Sequence, residues 1–336
     1  MFRPRKDSER GKGWIVIALL VVILLILFVV SLMWGGEPDT FDVLQSAQDR
    51  ASEHGAEVVT GYVTTNALIE IAGTLLDKPG GYLSNDIIPP SVFMDNIPNW
   101  EFGVLVQVRD FTKAMRNEIS RSQTQSQENE SLAKAEPQFN MDSESWIFPS
   151  AESEYREGIE ELEDFLSGLS DPNSATTQFY ARADNLRDWL RIVAGRLGSL
   201  SQRLSASVGQ ERINTNLSGD PAARESTAEP GVIVSKTPWL QIDDVFYESR
   251  GTCWALIHLL RAVEVDFHEV LQKKNALRSV QQIIRELEAT QKTVWSPMIL
   301  NGSDFGFLAN HSLVMSSYIA RANAGIIDLR DLLSQG

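Results

Sequence analysis

The chain has 336 residues and a formal net charge of −15 at pH 7. That length suits one large domain or two ordinary ones, and the acidic balance argues against nucleic acid, whose phosphates demand a basic face. Cys253 is the only cysteine, which excludes an intramolecular disulfide and a cysteine-based metal cluster.

The run from Ile15 to Met33 carries no charge and is bracketed by Trp14 and Trp34. At about 1.5 Å per residue it crosses a hydrocarbon core of about 30 Å. Tryptophans at both ends fit membrane-interface anchors, and Arg3, Arg5, Lys6, Arg10 and Lys12 ahead of it outnumber Asp7 and Glu9. The reading is a cytoplasmic basic tail over 1–13, a transmembrane anchor over 14–34 and a remainder on the far side, the periplasm of a bacterial inner-membrane protein. A cleaved signal peptide fits less well, because "SLMWGGEP" offers no small-x-small cleavage site. The remainder is acidic, so it is expected to stand off anionic head groups.

Beyond the Gly35-Gly36-Glu37-Pro38 break, the spacing predicts helices. Asp39 or Thr40 is the expected cap of one long helix, or of two in line with a joint near Gly55, ending at Pro79-Gly80-Gly81. A second helix is predicted from Trp100 or Glu101, capped by Asn99, through Ile119. Residues 121–148 are polar enough for a solvated extension or a flexible loop. A third helix covers about 152–169. Leu186, Leu190, Val193, Leu197, Leu200 and Leu204 then keep strict four-three spacing, a bundle seam, with the nearby arginines on a solvated face. Residues 207–236 read as a long flexible loop in which "GVIV" makes a short strand. Helices resume at Ile242, with Cys253, Leu256, Leu260 and Val263 on one stripe, and Cys253 reads as a small buried hydrophobe. A last helix places Leu308, Met315, Ala322, Leu329 and Leu333 inward. The fold class is therefore mainly α: one transmembrane helix followed by an extended periplasmic helical bundle over 39–336 with long loops.

No nucleophile elbow, Walker loop, dinucleotide fingerprint or HExxH pattern is present. Glu264 and His268 stand one turn apart, but such a pair is commonly a surface ion pair, and no metal or cofactor is expected. His311 reads as a hydrogen-bonded, partly buried histidine. Carboxylates in the stretch from Gly80 to Asp110 leave general acid–base chemistry open.

That stretch, "GGYLSNDIIPPSVFMDNIPNWEFGVLVQVRD", is dense in Gly, Pro and aromatics. It reads as a rigid connection in which Tyr82, Phe93 and Trp100 plug the bundle end. A loop held in this way can also present Asn85, Asp86, Asp95, Asn96, Trp100 and Glu101 to a partner, with Asn301 and Asp304 of the second polar break as companions. The same stretch, with "FYARADNLRDWLRIVAGRLGSLSQRLSASVG" and "FYESRGTCWALIHLLRAVEVDF", resembles the DUF2333 family. These are proteobacterial proteins of unknown function with one N-terminal membrane segment, so the resemblance implies the inner membrane and no catalytic residue. The expectation is a non-enzymatic anchored envelope protein that binds the bilayer through its first helix and an envelope protein, a cell-wall assembly or a second copy of itself. The alternatives are a periplasmic enzyme acting on envelope polymer through acidic residues of 80–110, and a small-ligand binding module.

Overall fold

The computed structural model describes residues 7–121, 128–172, 174, 176–213, 232–296, 298–303 and 307–335. Helix α1 (Asp7–Trp34) leaves the rest of the chain, and its Gly13–Trp34 portion is long and apolar enough to cross a membrane. The other helices are α2 (Val43–His54), α3 (Tyr62–Asp77), α4 (Asn96–Ala114), α5 (Glu130–Phe139), α6 (Ala151–Ser170), α7 (Ala183–Ser205), α8 (Ile242–Asp266), α9 (His268–Lys273), α10 (Leu277–Glu288) and α11 (His311–Ser334). The strand expected at "GVIV" is present: β2 (Val232–Ser235) pairs antiparallel with β1 (Gln210–Ile213). The rest of the long loop expected over 207–236 falls largely outside the described residues.

Helix α8 is the axis. It packs against α2, α3, α4, α7 and α10, and every residue from Ser249 to Leu260 is buried. The single apolar stripe read from its spacing is therefore too narrow: neighbours cover both faces. Against α4 the backbones nearly touch. A Cβ on Gly251 would lie 2.0 Å from the Trp100 carbonyl oxygen, and one on Gly103 would lie 2.1 Å from the Glu248 carbonyl oxygen. Only glycine permits this crossing. The seam of α7 is buried throughout and packs on α11.

Several boundaries differ from the sequence reading. Helix α2 is capped by Asp42, whose carboxylate accepts from the Leu44 and Gln45 N–H groups, because residues 37–41 are held extended along α8. Gly55 ends α2 at φ 63°, at the expected joint, but α3 lies beside α2 rather than in line: Arg50 pairs with Glu70, and Asn66 donates to Ser46. Helix α4 starts at Asn96, with Pro98 in its first turn, where no N–H partner is lost. Within the stretch read as polar, α5 buries Leu132, Ala135 and Phe139 against α6. The arginines of α7 are not merely solvated: Arg196 chelates Asp110 of α4, and Arg203 chelates Glu248 of α8. Leu308 is exposed and precedes α11.

Candidate functional site at the anchor junction

The 80–110 segment is organised by a buried ion pair. Lys78 ends α3, and Gly80 and Gly81 then turn the chain at φ 91° and 72°. The Lys78 ammonium lies 2.5 Å from Glu101 Oε1, with side-chain exposures of 1% and 0%. It also donates to the Gly81 carbonyl. The Glu101 carboxylate accepts from the Leu83 N–H at 2.9 Å, the Ser84 N–H at 2.8 Å and the Ser84 hydroxyl at 2.5 Å. Burial pushes its pKa up, and the Lys78 charge and these hydrogen bonds oppose the rise. A carboxylate with every neighbouring donor committed is a structural acceptor, not a free acid or base.

The remaining residues read from the sequence divide between frame and surface. Asn85 is buried and donates to the Ser145 carbonyl and to Glu152. Trp100 is fully buried and stacks at a tilt on Trp254, 5.2 Å between centroids. Trp100 and Tyr82 do plug the bundle end; Phe93, expected beside them, is 81% exposed. Asp86 and Asp95 are exposed and Asn96 is half-buried. Partial desolvation of its carboxylate raises the Asp86 pKa, a hydrogen bond with Ser91 opposes the rise, and the nearby Glu152 charge adds to it. Asn301 donates to the Ser207 carbonyl and bridges Asn310; Asp304 lies outside the described residues. Among the described residues no hydrogen bond or ion pair joins the 80–110 and 296–312 segments. Trp14 is exposed on α1. Trp34, at the other end, packs on the domain: a Cβ on Gly80 would lie 2.7 Å from its Cγ.

Sequence reasoning missed the feature beside Trp34. Residues 37–41 form a strap along α8. Arg250 grips the Glu37 carboxylate through Nε at 2.7 Å and Nη2 at 2.5 Å, while its Nη1 donates to the Thr290 and Lys292 carbonyls. The Trp254 indole N–H donates to the Asp39 carbonyl at 3.3 Å. The Phe41 N–H donates to His258 Nε2 at 3.0 Å, and the two rings stack 4.0 Å apart. His258 Nδ1 in turn meets the Trp254 carbonyl at 2.7 Å. Burial lowers the His258 pKa to about 4, so the ring is neutral. A signal was visible: Arg250, Trp254 and His258 recur every four residues within the most apolar stretch of α8.

Three clefts open around this region. One of about 530 Å³ between α2, α3 and α6 is lined by charges already paired, Arg50 with Glu70 and Glu163, and Arg156 with Asp77. One of about 480 Å³ follows the strap. The third, about 390 Å³, is apolar, with Phe246, Val294, Trp295, Met315 and Tyr318 among its walls. Elsewhere, Glu264 accepts from Gln281, and His311 Nδ1 accepts from the Leu300 N–H. Cys253 is fully buried, its thiol pushed up to about 12 by desolvation. Among the described residues no three His, Cys, Asp or Glu side chains converge. No curated protein and no solved structure matches the chain. The family model described as "Uncharacterized protein conserved in bacteria (DUF2333)" matches residues 7–336, and the chain belongs to that family.

Proposed function

We propose that this protein is a non-enzymatic, single-pass anchored component of the bacterial inner membrane, holding a helical periplasmic domain at a fixed height and orientation for binding another envelope component. The observation that carries the reading is the strap. Glu37, Asp39 and Phe41 are bound to α8 within a few residues of the anchor, so no flexible tether intervenes. A rigid mount suits a scaffold that presents one face to a fixed partner. The commitment of Glu101 to Lys78 and Ser84 weighs against acid–base chemistry in the 80–110 segment.

Two experiments test the reading. Alkaline phosphatase fused after residue 336 is expected to be active in intact cells; an inactive fusion overturns the topology. Photo-crosslinking in living cells from Glu160, exposed on the rim of the cleft between α2, α3 and α6, is expected to give one abundant protein adduct. Its absence moves weight to a second reading, a binding module for a small apolar ligand, which the Trp295-lined cleft favours.

A further inference from the structure

Outside α1, the large apolar side chains that are more than half exposed, Val314 on α11 apart, are not scattered. They sit at the tips of loops that converge on the anchor. The first is Ile87, Ile88, Val92 and Phe93, in a segment whose Gly80 touches Trp34 and whose Met94 touches Gly35. The second is Trp146, Ile147 and Phe148, the last 98% exposed. Its loop is held against the first by Tyr82 donating to the Ser143 carbonyl and Asn85 to the Ser145 carbonyl.

The third is Trp239 and Leu240, just ahead of α8. The strap runs from Glu37 at Arg250 to Phe41 at His258, so α8 leads away from the anchor and its start points back toward it. From Arg250 to Ile242 is about 12 Å of helix, which carries Trp239 and Leu240 to the anchor side of the Glu37–Arg250 pair. The fourth is Trp295, 92% exposed, with Met298, Phe307 and Leu308 beyond it. Thr293 and Val294 line the same cleft as Gly35 to Thr40, and Arg250 holds the Lys292 carbonyl.

Exposed apolar clusters of this extent mark an interaction surface. Resting on the reading of α1 as a membrane span, we propose that these four loop tips form a collar around the anchor that inserts into the interfacial layer of the bilayer leaflet on the domain's side. The occupant is lipid because the surface is continuous with the end of the anchor, and the tryptophans Trp146, Trp239 and Trp295 suit the head-group boundary. Exposed Asp86 and Asp95 lie beside the tips. Insertion is therefore driven by apolar area, without attraction to anionic lipid. This revises the expectation drawn from net charge: the charge averages over the whole domain, whereas the apolar tips gather at one end.

The test uses the full chain in vesicles of zwitterionic phosphatidylcholine containing doxyl-labelled lipid as quencher. Single cysteines replace Phe93, Phe148, Trp239 and Trp295, with Leu24→Cys in the anchor and Lys273→Cys on exposed α9 at the far end of α8 as references; each is labelled with an environment-sensitive fluorophore. Cys253 is buried and is expected to take up no label in the folded protein, which the parent chain labelled alike checks. Lipid quenching at the four tips is expected to exceed that at Lys273 several-fold and to persist in molar salt. If Leu24 is quenched while the four tips behave like Lys273, the anchor stands and the collar is overturned. Quenching of the tips that salt abolishes also overturns it, in favour of electrostatic adsorption. If Leu24 itself is not quenched, the membrane reading fails, and the collar with it.

Discussion

His258 and the Lys78–Glu101 pair carry charge states that can each be tested. His258 is neutral with its Nε2 turned to the Phe41 N–H, so protonating that nitrogen would set donor against donor. Burial, aided by the charge of Arg261, holds its pKa down from 6.5 to about 4. Between those values the unfolded chain binds the proton and the folded chain does not, so stability falls as pH drops through that window, by about 3 kcal/mol in all. Urea unfolding at pH 7 and at successively lower pH is expected to show His258→Phe with a flatter slope than the parent; equal slopes would remove His258 from the acid response. The Lys78–Glu101 pair makes the second case. Glu101→Leu leaves a buried ammonium without its counter-charge and is expected to cost about 3–5 kcal/mol, whereas adding Lys78→Met recovers much of that loss. A double variant no more stable than Glu101→Leu would mean that the hydrogen bonds to Leu83 and Ser84, not the charges, hold the turn.

At the scale of elements, the crossing of α4 and α8 makes the sharpest demand. Gly251→Ala drives a methyl toward the Trp100 carbonyl oxygen, which is backbone and cannot swing aside. The helices must part, at an expected cost of about 1–3 kcal/mol or more. Gly195→Ala in α7 has nothing within 4 Å and is expected to stabilise by about 0.5–1 kcal/mol through helix propensity alone. Melting temperatures of the two variants should move in opposite directions. This contrast also marks what the sequence could disclose. The seam of α7 was legible because leucine spacing is a local signal. Gly251 and Gly195 look alike in sequence; only the neighbour that arrives from α4 distinguishes them. Helix α5 was hidden for a related reason, since its buried Leu132, Ala135 and Phe139 are few among polar residues and acquire meaning only against α6.

For the whole molecule, the question is where the domain begins. Apolar length marked α1 as long enough to cross a membrane, the Gly and Pro content of 80–110 pointed to a special connection, and the sequence reading placed the domain over 39–336. The ion pair between Glu37 and Arg250 spans 213 positions, a separation that no local pattern can report. This contact packs the strap onto the domain from Glu37 onward, ahead of α2. A chain beginning at Glu37 retains the Arg250 partner, the Trp254 bond and the Phe41–His258 stack. A chain beginning at Asp42 loses all three and leaves the Arg250 guanidinium, 8% exposed, beside an empty groove. Removing one partner of a buried pair is expected to cost about 3–5 kcal/mol, a large fraction of the stability of an ordinary domain. Urea midpoints of the two chains, measured in the same detergent so that the collar is covered in both, are therefore expected to separate clearly. Coincident midpoints would mean that the strap merely lies on the domain, and the rigid mount would then have no energetic basis.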